Sequence, residues 1–341
     1  MKILIIRFSS MGDIVLTTPV IHSLKQEYPR AKIDYLTKSE YADIIAHNPD
    51  INTIIKFNSE KDPIIKLSRL IKSLNYDVII DLHKNLRSLI IKTINFNTKK
   101  YSYNKKHLKR FLLTKKSFRK RIKPINSTVD LYKTAFDKMG LQLKTRKLYF
   151  YLPKEAIYIY RRFNLPEPTM NIVIAPSAAH YTKQYPADYY AELIDKLHDE
   201  FKPNFIMVGD KNDKKTVEEI KRITDKKIYD ICGETNITEL ATIISVSDLF
   251  ISGDTGPMHI AAAFNIPQIA IFGSTHPMLG FAPLNDKAQV VQKDLSCRPC
   301  SLHGRKKCPL KHFNCLREIG PTQIFSIANN MIKKYRSNDE E

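Results

Sequence analysis

Strand-like and helix-like segments alternate through both halves of this chain, and this alternation constrains the fold more than any other feature. Short apolar runs of strand length are separated by longer stretches with helical periodicity. The alternation predicts an α/β fold with parallel sheets that are covered by helices on both faces. The predicted strands are Lys2 to Arg7, Lys32 to Leu36, Thr53 to Phe57, Asp77 to Asp81, Asn171 to Ala175, Asn204 to Val208, Lys227 to Ile231, Asp248 to Ser252 and Gln268 to Phe272.

The length of 341 residues predicts two domains, because a single core seldom extends over so long a chain. Apolar residues make up 43% of the sequence, which is enough for two cores. A Pro-containing stretch from Tyr151 to Pro168 is predicted to join them. We therefore expect two Rossmann-like, doubly wound domains at residues 1–160 and 161–341, with the last helix free to pack back on the first domain. Ligands of such sheets bind at the carboxyl ends of the strands.

The segment from Ser252 to Ala263 combines the end of a buried strand, a tight turn and the start of a helix. Pro257 is predicted as the first helical residue, where its missing N–H costs nothing. Backbone N–H groups and the positive end of the helix dipole favour a bound anion at such a start, for example the phosphates of a nucleotide. A purely structural interpretation stays open, in which Asp254 or Thr255 caps the helix.

Four motifs resemble those of glycosyltransferase family 9, the ADP-heptose:lipopolysaccharide heptosyltransferases. They occur in the family's order and are scattered over most of the chain. The resemblance implies the GT-B architecture, in which an acceptor-binding and a nucleotide-sugar-binding Rossmann-like domain face each other across a cleft. The motifs are Lys2 to Pro19, Asp81 to Ser88, Lys183 to Pro186, and Asp254 to Ala263 with the following Phe272 to Pro277.

The resemblance also implies an inverting transfer of heptose from ADP-heptose to the lipopolysaccharide inner core, either to Kdo-lipid A or to a heptosyl acceptor. Such a transfer needs a base for the attacking hydroxyl and a cradle for the departing diphosphate. Asp13 matches the family's catalytic base, with an N-cap of the following helix as the alternative. Lys183 matches a lysine that neutralises the departing phosphates, with an ordinary surface lysine as the alternative. The chain has no DxD motif, so no obligatory metal is expected, and a bridging divalent cation stays open.

Six residues of the second half are expected to bind the nucleotide sugar. They are Ser177, Asp213, Asp254, Thr255, Gly256 and His259. Thr255 and Gly256 are assigned to the pyrophosphate, and Asp254 to donor-sugar hydroxyls or to the turn itself. His259 either donates to a phosphate oxygen or is a buried histidine with satisfied hydrogen bonds.

The two remaining donor candidates align less securely with the family. Asp213 is assigned to the ribose hydroxyls, although Asp210 and Asn212 compete for that role. Ser177 is assigned to the donor, with Thr182 as the other hydroxyl in the same loop.

Positive charge is concentrated in the segment from Lys84 to Lys123, which contains 15 Lys or Arg residues and no Asp or Glu in a chain of net charge +20. A solvated surface and a nucleic-acid patch are the alternatives, but no nucleic-acid-binding motif accompanies the segment, so no nucleic acid is expected as a partner. The resemblance assigns it to the phosphates and acidic sugars of the acceptor, with an anionic lipid surface as a further partner. The acceptor-binding candidates are Arg87, Lys105, Lys106, Lys109 and Arg110.

Four of the five cysteines lie within nineteen residues, at Cys297, Cys300, Cys308 and Cys315. In a cytoplasmic protein such a cluster indicates zinc or redox chemistry before structural disulfides. The spacing departs from that of the common zinc ribbons. No metal is therefore assigned, and free thiols are favoured over a structural zinc site.

No apolar run approaches the roughly 20 residues of a transmembrane helix, and the apolar start is too short for a signal peptide. We expect a cytoplasmic enzyme that is peripheral to the inner face of the inner membrane. Two alternatives stay open. One is a transferase or epimerase that uses another nucleotide sugar, and the other is a non-catalytic protein that binds polyanions.

Overall fold

A computed structural model describes residues 1–165 and 170–336. The range from Pro166 to Thr169, which includes the end of the predicted junction, lies outside the described residues, as does the range from Ser337 to Glu341. Within the described ranges, no helix is both long enough and apolar enough to cross a membrane.

The strands of the described residues pair in parallel and form two separate sheets. They are β1 (Lys2–Ile6), β2 (Lys32–Lys38), β3 (Thr53–Phe57), β4 (Val78–Asp81), β5 (Lys99–Ser102), β6 (Asn171–Ala175), β7 (Asn204–Met207), β8 (Ile228–Asp230), β9 (Leu249–Gly253), β10 (Gln268–Phe272) and β11 (Ala288–Gln292).

Helices connect the strands, as the alternation of the sequence predicts. The α-helices are α1 (Met11–Val15), α2 (Thr18–Glu27), α3 (Ile64–Ser73), α4 (Leu86–Ile94), α5 (His107–Leu113), α6 (Lys116–Arg119), α7 (Thr128–Asp137), α8 (Ala156–Arg162), α9 (Ala187–Phe201), α10 (Lys214–Ile223), α11 (Ile237–Ser245), α12 (Gly256–Ala263), α13 (Asn314–Arg317) and α14 (Pro321–Arg336). Two short 3₁₀ helices span Ser39–Ile44 and Tyr181–Lys183.

The chain divides into two compact units that are not contiguous in sequence. Unit 1 consists of Met1–Lys106 and Ser127–Tyr151, and unit 2 of His107–Asn126 and Leu152–Glu341. The segment His107–Asn126, which carries α5 and α6, therefore leaves unit 1 and packs with unit 2. A single boundary near residue 160 does not describe this excursion.

The sheet of unit 1 has the strand order β3-β2-β1-β4-β5. Its central strand β1 has four consecutive buried residues from Ile3 to Ile6, as expected for a parallel strand covered on both faces. In register, Ile5 pairs with Tyr35 on β2 and with Ile80 on β4. The strand order reverses between β1 and β4, so the switch point at which such sheets bind ligands lies there.

The sheet of unit 2 has the strand order β11-β10-β9-β6-β7-β8, with its switch point between β6 and β9. Every residue of β6, β9 and β10 is buried. The last helix, α14, packs against α9 of the same unit. Its Ile324 and Ala328 share one apolar core with Leu193 of α9 and Ile172 of β6.

The observed elements add detail that the sequence pattern leaves open. The helical pattern from Ile14 to Tyr28, in which Pro19 predicts a kink or a new helix start, is two helices, because α1 ends at Val15 and α2 begins at Thr18 with Pro19 as its second residue. The strands β5 and β11 are additional. Each lies at the edge of its sheet and is rich in charged or amide side chains, so neither has the apolar run by which the other strands are recognised.

Candidate active site

The sheet of unit 1 brings Asp13 to its switch point, beside the end of β1. Asp13 is the third residue of α1, and its Oδ2 accepts a hydrogen bond from Ser10 Oγ at 3.0 Å. The N-cap position belongs to Ser10, so the interpretation of Asp13 as the N-cap is wrong. Asp13 contributes to the cap from inside the helix, as the acidic partner of a capping box does.

Asp13 forms an ion pair with Arg7, whose Nη2 lies 2.6 Å from Asp13 Oδ2. Arg7 is 7% exposed and also donates to the carbonyl oxygens of Ser9 and Leu82. Burial alone would lower the pKa of Arg7, but Asp13 and nearby tyrosines outweigh it and raise the pKa above its ordinary value. Asp13 is thus held beside a permanent positive charge. Arg7 was not among the predicted site residues, although a charged residue directly after a buried apolar strand is a usable signal.

His83 is a second residue of this edge that the sequence analysis did not assign. It follows β4 and meets the ring of Phe8 edge-on, with ring centroids 5.5 Å apart. Burial, then the charges of Arg7 and Lys105, lower its pKa to about 4, so the imidazole is neutral at neutral pH. Its Nδ1 is buried without a hydrogen-bond partner among the described residues.

The rest of the motif from Asp81 to Ser88 builds the turn that presents His83. Asp81 is fully buried, and its Oδ1 accepts from the backbone N–H groups of His83 and Lys84 at 3.0 and 2.7 Å. Its Oδ2 lies 2.7 Å from Lys92 Nζ. Asn85 then caps α4, where its side chain accepts from the backbone N–H of Ser88 at 2.9 Å.

In unit 2, the predicted phosphate segment has the strand, turn and helix that the sequence indicates. Strand β9 ends at Gly253, and α12 begins at Gly256 with Thr255 as its N-cap. Pro257 is the second helical residue rather than the first. The Thr255 Oγ1 is buried and has no hydrogen-bond partner among the described residues. A partnerless hydroxyl beside the N–H groups of a helix start suits an anion that accepts hydrogen bonds.

Lys183 and Asp254 meet at this helix start. Lys183 Nζ lies 3.1 Å from Asp254 Oδ2, and the two side chains are 15% and 11% exposed. The interpretation of Lys183 as an ordinary surface lysine is therefore wrong. Gly253 allows the approach, because a Cβ at that position would lie 3.0 Å from the carbonyl oxygen of Lys183.

Ser177 and Asp213 lie together at the ends of β6 and β7. The Asp213 carboxylate accepts from the backbone N–H of Asp210 at 2.8 Å. Burial raises the pKa of Asp213, while this bond and a hydrogen bond with Ser177 oppose the rise. Ser177 Oγ also bonds Gln184 Nε2 at 3.1 Å. A Cβ at Gly209 would lie 2.2 Å from Asp213 Oδ2, so this loop is closely packed.

The other hydroxyl in this loop, that of Thr182, is occupied by structural hydrogen bonds. Its Oγ1 accepts from Ser274 Oγ and from the backbone N–H of Arg305, each at 2.8 Å. His259 is buried in the first turns of α12, at 4% exposure.

Arg298 shapes the loop that follows β10, and no sequence pattern pointed to it. It is 2% exposed and donates to four backbone carbonyl oxygens, those of Phe272, Gly273, Thr275 and Lys293. In the same loop, the Thr275 Oγ1 is buried without a hydrogen-bond partner among the described residues.

Comparison with known proteins now identifies the family. The model of glycosyltransferase family 9 (heptosyltransferase) matches residues 64–313. The chain belongs to glycosyltransferase family 9. It is 32% identical over 254 residues to lipopolysaccharide heptosyltransferase 3 of Escherichia coli K12, which covers 70% of this chain and 73% of that protein.

Solved structures agree with this assignment at the level of the fold. E. coli ADP-heptose LPS heptosyltransferase II matches with a TM-score of 0.75 and 21% identity, covering 98% of this chain and 100% of that one. E. coli heptosyltransferase WaaC with ADP matches with a TM-score of 0.70 and 17% identity, covering 97% and 100%. The predicted α/β fold of GT-B type is confirmed, and this family 9 chain is a glycosyltransferase.

The predicted acceptor-binding residues of this glycosyltransferase are divided between the two units. Arg87 is exposed on α4, and Lys105 and Lys106 end the first part of unit 1. Lys109 and Arg110 belong to α5 of unit 2. Arg110 is only 5% exposed, donates to the carbonyl oxygen of Leu279 at 3.1 Å and lies over the ring of Phe281. Arg110 therefore differs from the other acceptor-binding candidates, because its guanidinium attaches α5 to the residues of unit 2, and its predicted acceptor role stays a prediction.

The cysteine cluster of the glycosyltransferase follows β11 and extends from Cys297 to Cys315 in α13. Within the described residues, no group of three or more His, Cys, Asp or Glu side chains is placed to hold a metal ion, and all five cysteines are free thiols. Burial raises the pKa of Cys300 and raises that of Cys315 to about 12.

The variant Asp13→Asn distinguishes a catalytic role of Asp13 as the base from a purely structural role. We expect a loss of about 10²- to 10⁴-fold in transfer rate, because an amide cannot take a proton. Stability should fall by about 1–3 kcal/mol, because Arg7 loses its counter-charge. Transfer rate and thermal unfolding are measured on the same preparation.

Asp130→Asn is the matched control, since Asp130 is also ion-paired, 2.7 Å from Arg146, and similarly exposed. It should transfer at nearly the parental rate. Near-parental turnover by Asp13→Asn would return Asp13 to a purely structural role.

Two partly buried histidines, His83 and His276, should make stability depend on pH. Burial, with nearby arginine charge, lowers the pKa of both His83 and His276 to about 4, whereas histidine in an unfolded chain titrates near 6.5. Between these values the unfolded chain binds more protons, so stability falls as pH drops from about 6.5 to 4. His83→Gln and His276→Gln should each flatten this dependence in urea unfolding followed across that range. Unchanged slopes would contradict the burial of neutral imidazoles.

Proposed function

We propose that this glycosyltransferase transfers heptose from ADP-heptose to the inner core of lipopolysaccharide, on Kdo-lipid A or on a heptosyl acceptor. The helix start of unit 2 is the observation that supports the donor site. There Lys183 pairs with Asp254, and the hydroxyl of the N-cap residue Thr255 is buried without a hydrogen-bond partner among the described residues. The names of the relatives support the same donor and acceptor, since they include lipopolysaccharide heptosyltransferase 3 and an ADP-heptose heptosyltransferase.

In the proposed reaction, an acceptor hydroxyl attacks the anomeric carbon of the heptose, and ADP leaves from the opposite face. Asp13 takes the hydroxyl proton as the new glycosidic bond forms. The ion pair with Arg7 supports this role, because it holds the carboxylate in one orientation. The leaving diphosphate gains negative charge when the old bond breaks. Lys183 and the N–H groups of α12 are suited to stabilise that charge.

Asp254 has a double role in this proposal. Its carboxylate repels phosphate, so it cannot serve as a phosphate ligand by its own charge. It instead holds Lys183 at 3.1 Å beside the helix start and offers its second oxygen to donor-sugar hydroxyls. His259, Ser177 and Asp213 complete the proposed nucleotide-sugar contacts. Stabilisation by Lys183 and backbone groups requires no obligatory metal, in keeping with the absence of a DxD motif from the sequence.

On the acceptor side, we propose that Arg87, Lys105, Lys106 and Lys109 bind the phosphates and acidic sugars of the acceptor. The enzyme then works as a cytoplasmic protein, peripheral to the inner face of the inner membrane. The segment from Lys84 to Lys123 supports this location, because it carries 15 basic residues without an acidic one. Basic residues near an anionic leaflet each contribute about 1 kcal/mol of attraction.

The variant Gly256→Asp tests the proposed diphosphate site at the start of α12. A carboxylate at the first position of α12 would repel the diphosphate, so the rise in melting temperature that ADP produces in the parent should disappear. Gly320→Asp is the control. It adds the same charge in unit 2, next to the start of α14, where an added Cβ meets nothing within 4 Å. The control should retain the shift. Equal shifts in the parent and in Gly256→Asp would place the diphosphate elsewhere.

Transfer itself is tested with purified protein, ADP-heptose and a panel of truncated core acceptors, followed by mass spectrometry of the products. We expect one acceptor to gain a single heptosyl group, with ADP released in equal amount. Lys183→Met should slow this transfer strongly, because the methionine fills the same space without charge. Product formation from other nucleotide sugars but not from ADP-heptose would overturn the proposed donor.

A further inference from the structure

We propose that the α5–α6 segment, residues 107–126, is an interfacial anchor that inserts apolar side chains into an anionic lipid bilayer. The inference rests on the proposed action at the membrane and adds a defined apolar contact to it. It also assigns that contact to unit 2, with which the segment packs.

The inner face of the segment is attached to unit 2 by two arginines and a backbone bond. Arg110 donates to the carbonyl oxygen of Leu279, and Arg119 donates to those of Leu113, Ser296 and Pro299. Ile125 N–H donates to the carbonyl oxygen of Met278 at 2.9 Å. These contacts use two of the segment's eight basic residues to fix its orientation.

The outer face carries large apolar side chains that the fold does not bury. Leu108 is 69% exposed, Phe111 50% and Phe118 48%. Leu108 and Phe111 are three residues apart on α5, so they lie on one side of that helix, whereas Arg110 and Leu113 are buried. Phe118 is exposed on α6, which contacts α5. Exposed large apolar side chains on neighbouring helices are characteristic of interaction sites.

The charges around these apolar side chains indicate the chemistry of the partner. The exposed basic residues of the segment are Lys115, Lys116, Lys120, Arg121 and Lys123, and the segment has no acidic residue. Lys115 Nζ lies 4.9 Å from the centre of the Phe111 ring, so positive charge and apolar surface alternate within a few ångströms. An anionic bilayer fits both features. Its headgroups attract the basic side chains, and its acyl boundary buries the leucine and phenylalanine side chains. A nucleic acid would match the lysines and leave Leu108 in water.

The chain contains no tryptophan, which makes a direct test available. Phe111→Trp and Phe118→Trp each introduce a single fluorescent reporter at the proposed contact. Ile65→Trp on α3 of unit 1, where Ile65 is 51% exposed, is the matched control. Each variant is titrated with phosphatidylglycerol-containing vesicles and with vesicles of phosphatidylcholine alone.

We expect a blue shift of emission, and quenching by lipids brominated on their acyl chains, for Phe111→Trp and Phe118→Trp on the anionic vesicles only. Ile65→Trp should show neither. The triple variant Leu108→Ser, Phe111→Ser, Phe118→Ser should sediment with anionic vesicles at least about tenfold more weakly, because the apolar part of the binding is removed. The absence of acyl-chain quenching, an equal shift in Ile65→Trp, or an equal shift on adding heparin would overturn the proposal.

The proposed transfer is assayed separately on a delipidated, water-soluble core acceptor. The triple variant should transfer to it at the parental rate and keep the ADP-dependent rise in melting temperature. Loss of vesicle binding with intact transfer to this acceptor supports the anchor. Failure of the parent to transfer would instead contradict the proposed function and leave the vesicle result to judge the anchor alone.

Discussion

A parallel sheet brings all of its strands to an end at one edge, and the rest of this molecule depends on that constraint. Burial of both faces disfavours polar side chains along the strands, so groups that bind or react are expected mainly in the loops after them. Asp13 and His83 follow neighbouring strands of unit 1, and Ser177 and Asp254 follow neighbouring strands of unit 2. Each pair comes from distant parts of the sequence.

The two sheet edges have the same electrostatic arrangement. At each edge a largely buried carboxylate is paired with a cation. Arg7 serves Asp13 in unit 1, and Lys183 serves Asp254 in unit 2. The cations differ in kind. The guanidinium of Arg7 is fixed by two backbone carbonyl oxygens, whereas the ammonium of Lys183 lies on a flexible stem and pairs with Asp254.

Apolar runs and one turn motif made much of this arrangement readable from sequence. The strand runs from Lys2 to Arg7 and from Asp248 to Ser252 were recognisable because buried parallel strands are continuously apolar. The helix start at Gly256 was recognisable because turn residues and a proline follow such a run. The roles assigned to individual site residues remain predictions.

The features that could not be predicted from the sequence share one physical cause. They depend on contacts between residues that are far apart in the chain. Arg298 is one of many basic residues until its carbonyl partners from the loop after β10 surround it. Arg110 is charged and lies in a basic segment, which is typical of a surface residue. It is nevertheless buried by Leu279 and Phe281, which lie about 170 positions later in the chain. The edge strand β5 contains two lysines and was concealed by the charge of the segment around it.

The excursion of His107–Asn126 into unit 2 has a consequence for how this protein can be divided. The chain passes from one unit to the other three times, after Lys106, after Asn126 and after Tyr151. A gene fragment cut near residue 160 would therefore separate α5 and α6 from the carbonyl groups that hold Arg110 and Arg119. The natural module for exchange between relatives is discontinuous. A chimaera that moves unit 2 into another member of the family must carry the internal segment His107–Asn126 together with the second half of the chain.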